Sequence, residues 1–174
     1  MSLVKLISPA LIFVILGSLG AGKNGLDYHN EGNIVKIFLP VDGSDYTRRA
    51  LDFLASHTQW SGPECDMVAF TALGALPPHV LHYVDGQAAH DYFADAAKTI
   101  LGPVEAFAKE QGWRMRVRQA IGSTAQTIAE CIEEEKPDLI VMGTHGHGAL
   151  ATMFLGSVAQ GVMARCHRPM LLIP

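Results

Sequence analysis

Asp138-Leu-Ile-Val-Met142, followed directly by Gly143-Thr-His-Gly-His-Gly-Ala-Leu-Ala-Thr-Met-Phe-Leu-Gly-Ser157, is the stretch that decides the fold. The first five residues read as an apolar strand. The glycines after it recur as Gly-x2-Gly-x9-Gly-Ser, and a helical pattern opens at Ser157 and runs to about Cys166. A glycine-rich turn between strand and helix exposes backbone N–H groups and the positive end of a helix dipole, where a phosphate binds. In that arrangement Gly143 permits close backbone approach and Gly146 permits a positive φ. Gly156 clears space beside a phosphate, and Ser157 adds a hydroxyl and a helix N-terminal N–H.

Strand–helix alternation extends outward from this unit. Ile34 to Val41 is an apolar run ended by Asp42-Gly-Ser, a buried strand and its turn. Ser44 can cap a helix to about Thr58 with Ala50, Leu51 and Leu54 on one face. Met67 to Leu73 reads as a second strand and Gly74 to Gly86, with two adjacent prolines, as a loop. A long amphipathic helix is expected over Gln87–Gln111, with a break point at Gly102-Pro103. Arg114 to Ile121 alternates charged and apolar residues, as an edge strand with one wet face does. Ser123-Thr-Ala-Gln126 has the form of a capping box opening a helix to about Glu135. Pro169 to Ile173 is the last strand. The pattern predicts one parallel sheet joined by right-handed crossovers and covered on both faces. Ligands of such sheets bind beyond the carboxyl ends of the strands, where the strand order reverses. Two turns carry suitable residues there: Pro40-Val-Asp-Gly-Ser44 and Gly143–Ser157. Asp42 at its strand end can accept hydrogen bonds from an adenine amino group or a ribose, or can serve the following helix as an N-cap-like acceptor.

The 174 residues, 49% apolar and 17% charged, suit one domain with a sizeable core. The net charge of −4 supplies no basic field for nucleic acid. Cys65, Cys131 and Cys166 are scattered without a Cys-x-x-Cys, so reduced, packing thiols are expected. Residues 1–33 stand apart from the domain at 34–174. Leu6 to Gly22 is uncharged and mostly apolar, with Lys5 before it and a Gly/Ser-rich tail after it. Three readings stay open: a cleaved signal, a membrane anchor, or an extension from a misassigned start, with Val35 as the natural beginning. Gly17-Ser-Leu-Gly-Ala-Gly-Lys23-Asn24 nearly matches a phosphate-binding P-loop. It lacks the Ser or Thr that holds Mg²⁺, and no helical period follows it.

The glycine spacing resembles the nucleotide loop of the ATP-binding branch of the universal stress protein family. The resemblance spans about residues 34–174. It includes Ile37-Phe-Leu-Pro-Val-Asp-Gly-Ser44, Asp138-Leu-Ile-Val-Met-Gly-Thr-His-Gly146, Leu155-Gly-Ser-Val158 and Arg168-Pro-Met-Leu-Leu-Ile173. It implies a Rossmann-like, open five-stranded parallel sheet in the order 3-2-1-4-5, with helices on both faces. It further implies that Pro40, Val41 and Asp42 line an adenosine pocket, with Ala72 offering backbone contacts to adenine. Met142, Gly143, His145, Gly146 and His147 would lie around the ribose and phosphates, with Gly156, Ser157 and Val158 completing the site. The ligand so implied is ATP, with or without Mg²⁺, or else ADP or AMP. The last strand, Met170–Ile173, would pair with its mate in a homodimer. These implications make the chain a cytoplasmic, nucleotide-binding regulator or sensor of the stress response rather than an enzyme.

Family members often carry Arg or Lys where this chain has His147, and a neutral imidazole brings less charge to a triphosphate. His145 and His147 suggest a metal pair but have no Cys or carboxylate beside them in the loop, so no metal is expected. His79 and His82 read as solvated loop residues. Ser44 and Ser157 lack the Gly-x-Ser-x-Gly elbow of a nucleophile. Two other readings compete. One is a membrane-tethered interaction subunit with a vestigial nucleotide site, held by Leu6–Gly22 at the inner face of the membrane. The other is a nucleotidyl-transfer or ligase enzyme, for which the chain shows no extra acid, metal site or substrate domain.

Overall fold

The computed structural model describes residues 4–7, 12–15, 34–57, 60–62, 65–81, 83, 85–147 and 155–174. The elements follow in the order β1 (Val4–Ile7), β2 (Ile12–Ile15), β3 (Val35–Pro40), α1 (Asp45–Ser56), β4 (Cys65–Leu73) and α2 (Pro78–Leu81). They continue with α3 (Gly86–Glu110), β5 (Arg114–Ile121), α4 (Thr124–Glu135), β6 (Leu139–Gly143), α5 (Ser157–Met163) and β7 (Met170–Ile173). One sheet holds every strand, in the order β1-β2-β7-β6-β3-β4-β5. From β7 to β5 all pairings are parallel. In order of appearance within the domain these five strands run 3-2-1-4-5, as expected, and β3 and β6 are neighbours at the reversal.

Side-chain alternation along the central strands divides the core into two layers. On one face Ile37 and Leu39 of β3, Met67 and Ala69 of β4 and Val141 of β6 pack with Leu51 and Leu54 of α1 and Phe93, Ala97 and Leu101 of α3. On the other, Phe38, Val68, Phe70, Ile140 and Leu172 pack with Ile128 and Ile132 of α4 and Ala159 and Val162 of α5. Cys65, Cys131 and Cys166 are buried and form no disulfide with one another. Burial pushes the Cys131 thiol up to about 11 and raises that of Cys166, so both stay protonated and act as small apolar groups.

Several expected features differ. No break occurs at Gly102-Pro103: α3 runs unbroken through Pro103 for 25 residues. Thr99, whose carbonyl loses its partner to the proline, and Pro103 itself are exposed, so that carbonyl stands on the solvent side of the helix while Leu101 and Val104 hold the other side to the sheet. The loop after β4 contains the short helix α2. The capping box at α4 does not form. Ser123 occupies the N-cap without a side-chain cap bond, and its carbonyl instead accepts from the N–H and hydroxyl of Thr127, each at 2.8 Å. Gln126 donates to Glu130 at 2.9 Å.

The apolar N-terminal segment brings the largest departure. β1 and β2 form an antiparallel hairpin, and β2 pairs antiparallel with β7, Phe13 opposite Leu172 and Ile15 opposite Met170. The described parts of Leu6–Gly22 are therefore strands, and the edge of β7 expected to meet a second copy is occupied by this chain's own β2. Among the described residues no helix is long and apolar enough to cross a membrane. The P-loop-like Gly17–Asn24, together with His82 and residues 148–154, lies outside the described residues.

Candidate functional site

The carboxyl ends of β3, β4 and β6 surround a cavity of about 350 Å³. Every residue expected to meet a nucleotide lines it. Pro40, Val41 and Asp42 come from the end of β3, Ala72 from β4, and Met142 and Gly143 from β6. His145, Gly146 and His147 enter from the turn after β6, while Gly156, Ser157 and Val158 approach at the start of α5. Thr47, Thr124, Ile128, Thr144 and Ala159 also line the cavity and were missed by sequence reasoning. Thr124 and Ile128 arrive because α4 starts at this end of the sheet. The Ser123 start signal could have placed them, but only given that α4 lies over β4 and β5.

Asp42 plays both roles that its position allows. Its Oδ1 accepts from the Ser44 N–H at 2.9 Å and the Thr47 hydroxyl at 2.9 Å, closing the turn into α1. The Thr47 oxygen in turn accepts from the Asp42 N–H at 3.1 Å. Oδ2 lies against Gly146, across the gap between the two turns. Burial raises the pKa of Asp42, but hydrogen bonds from Ser44 and Thr47, together with the nearby His147, outweigh it. The carboxyl is held below its ordinary value of 3.8 and is ionised at neutral pH.

Space, not backbone conformation, explains the glycines of the turn. The expected positive φ at Gly146 is not found: Gly43, Gly112 and Gly122 are the positive-φ glycines among the described residues. A Cβ on Gly146 would instead collide with Asp42 Oδ2. A Cβ on Gly143 would come 2.5 Å from Tyr46 Cβ, and one on Gly156 would come 3.1 Å from the Thr144 carbonyl oxygen and 3.3 Å from His145 Cα. The two turns thus fit closely, and the Gly156 N–H donates to the Thr144 carbonyl at 2.8 Å.

Both histidines have protein partners. His147 Nε2 is 2.9 Å from the carbonyl oxygen of Asp42, which can only accept, so Nε2 carries the proton. His145 Nδ1 is 3.0 Å from Thr144 Oγ1, and its ring lies 5.3 Å from that of Tyr46, over which Arg49 stacks at 5.1 Å. Among the described residues no group of three or more His, Cys, Asp or Glu side chains converges. The site offers one carboxylate oxygen, several hydroxyls, backbone N–H groups and apolar walls from Val41, Ile128 and Met142.

The model of the universal stress protein family matches residues 34–174. Universal stress protein MJ0531 of Methanocaldococcus jannaschii is 29% identical over 165 residues, 93% of this chain and 95% of its own length. Among solved structures, that of hypothetical protein MJ0577 superposes with a TM-score of 0.68 at 20% identity, covering 80% of this chain and 95% of that one. A universal stress protein family member from Arabidopsis thaliana, solved with AMP bound, gives 0.57 at 14% identity, covering 80% of this chain and 90% of that one. With its five parallel strands, its paired turns at the reversal and a match across the whole domain, this chain belongs to the universal stress protein family.

Proposed function

We propose that the cavity between the β3 and β6 turns binds an adenine nucleotide, and that the chain acts as a nucleotide-responsive regulator or sensor in the stress response. The observation that carries this reading is Asp42, an ionised carboxylate that lines the cavity with its Oδ2 beside the glycine turn. Such an oxygen suits a ribose hydroxyl or an adenine amino group, both donors. The apolar walls suit the base, and AMP bound to the Arabidopsis relative supports the ligand class. Binding is favoured over turnover because a carboxylate with a lowered pKa is a weak proton acceptor, and Oδ1 is committed to Ser44 and Thr47. Equilibrium dialysis with labelled ATP, ADP and AMP, with and without Mg²⁺, tests the proposal. Saturable binding that weakens in Asp42→Ala is the expected result, and no binding up to millimolar nucleotide removes the reading.

Homodimerisation through Met170–Ile173 belongs to the same proposal, with one condition. A second copy must displace β2 from β7 or pair elsewhere.

A further inference from the structure

β4 outruns β3 at the carboxyl end of the sheet. Their pairing stops at Pro40 opposite Phe70, while β4 continues to Leu73 and stays paired with β5 as far as Ile121. The Val41 N–H donates to the Phe70 carbonyl at 2.8 Å, so Phe70 turns its peptide groups toward β3. Peptide groups alternate in direction along a strand, so Ala72 turns its N–H and C=O to the same side, past the end of β3, where it lines the cavity. Leu73 faces the other way, and its carbonyl accepts from the Gly122 N–H at 2.8 Å. That bond sets the start of α4 beside the end of β4. Thr124, the first residue of α4, and Ile128, one turn further on the same face, both line the cavity there.

In the sheet, β3 stands between β4 and β6, so this end of the cavity lies across β3 from the glycine turn. A nucleotide with its phosphates at the glycine turn and the start of α5 brings its base to the β4 and α4 end. Val41 and Ile128 supply apolar contact for the faces of the ring, but its edge carries nitrogens that need polar partners. The Thr47 hydroxyl donates to Asp42 Oδ1 at 2.9 Å and Thr144 Oγ1 lies 3.0 Å from His145 Nδ1, so both serve the two turns. Thr124 brings to the base end a hydroxyl that can both donate and accept. We infer that Thr124 is a base-contacting specificity residue: Ile128 lies on the face of the purine, and the Thr124 hydroxyl hydrogen-bonds one polar atom of its edge. The inference rests on the nucleotide-binding reading above.

The test is isothermal titration of the full chain, Thr124→Val and Thr124→Ser with ATP and with four analogues, each lacking one polar group of the adenine edge. These are the 1-deaza, 3-deaza and 7-deaza forms and the form without the 6-amino group. Thr124→Val keeps the shape of the side chain, removes the hydroxyl, and should weaken ATP binding about five-fold. Thr124→Ser keeps the hydroxyl and should stay within about two-fold of the parent. Against the one analogue that lacks the contacted atom, the parent and Thr124→Val should bind equally well. A loss in Thr124→Val that is the same for all the ligands overturns the inference, because the hydroxyl then does not touch the base. An equal loss in Thr124→Ser, or no loss in Thr124→Val, overturns it as well. Each of these outcomes leaves the nucleotide reading standing, whereas failure of the parent to bind ATP removes that reading and the inference together. Thr124→Ala removes the same hydroxyl and decides the matter if Thr124→Val does not fold.

Discussion

Asp42 divides its two carboxylate oxygens between the fold and the cavity, and the division makes it testable. Oδ1 holds the Ser44 N–H and the Thr47 hydroxyl, so Asp42→Ala should cost stability, about 1 kcal/mol in a urea melt. It should also weaken nucleotide binding by about ten-fold or more through the loss of Oδ2. Asp42→Asn keeps the shape and one carbonyl acceptor, so it should recover part of the stability. Gly146 allows the two effects to be separated. Its φ lies outside the left-handed region, so alanine brings no backbone strain, and its Cβ meets only the end of the Asp42 side chain. Gly146→Ala should therefore displace Oδ2 and reduce affinity in dialysis while the melting temperature stays close to that of the parent. A large drop in melting temperature would show that the glycine serves packing instead. His147 shows the limit of reasoning from residue type: the sequence identifies a weak cation, but the structure shows that its proton is already committed to a carbonyl.

At the level of elements, α4 is tied to two strands through a single carboxylate. Glu135, whose side chain is 8% exposed, accepts from Arg116 at 2.8 and 2.6 Å, from Arg118 at 2.7 Å and from Lys36 at 3.3 Å. Hydrogen bonding from Arg116 first, against the cost of burial, and then from Arg118 and Lys36, holds Glu135 well below the usual carboxylate range. A carboxylate with a lowered folded-state pKa stabilises the fold above its ordinary value of 4.5, and that contribution is lost as the pH falls further. Thermal melts of the parent and Glu135→Gln should differ clearly at pH 7, and the difference should shrink steadily as the pH falls below about 4.5. At neutral pH the loss should be about 2 kcal/mol, below the roughly 3–5 kcal/mol of a fully buried pair, because Arg116 and Arg118 remain partly exposed. Pro103 gives the opposite sign. Because α3 continues through it, Pro103→Ala should restore a hydrogen bond to the Thr99 carbonyl and stabilise the protein by about 1 kcal/mol or more in denaturant unfolding. The inner parallel strands were legible in the sequence because they are apolar runs closed by turn residues, and β5 because charged and apolar residues alternate along it. The course of α3 was not, since an exposed proline costs a helix bond without preventing its other face from packing. The family resemblance that the glycine motif and the Asp42 turn carry brought twelve lining residues into view. Thr47, Thr124 and Ile128 stayed hidden because helix packing, not spacing, brings them to the cavity.

For the whole molecule, the open question is the β7 edge. Met170, Leu171, Leu172 and Ile173 are at most 5% exposed, and β7 carries no charged residue to discourage pairing. An uncovered apolar edge of that kind recruits another strand. In this chain β2 fills it through the pairs Phe13–Leu172, Val14–Leu171 and Ile15–Met170. Nothing in the composition of Leu6–Gly22 announces that role, because an uncharged apolar run is equally compatible with a membrane helix and a buried strand. The pairing geometry alone separates them, and it has a consequence for assembly. Deleting residues 1–33 removes β1 and β2 and leaves the backbone N–H and C=O groups on the outer side of β7 unpaired, while the five parallel strands and both core layers remain intact. The truncated chain should self-associate at concentrations where the full chain stays monomeric, as read by light scattering on a size-exclusion column. Replacing Leu171 with proline in the truncated chain removes an N–H from β7 and should weaken that association. If the full chain is already dimeric at the same concentration and the truncation leaves its mass in copies unchanged, then the hairpin does not guard the edge, and a second copy docks elsewhere.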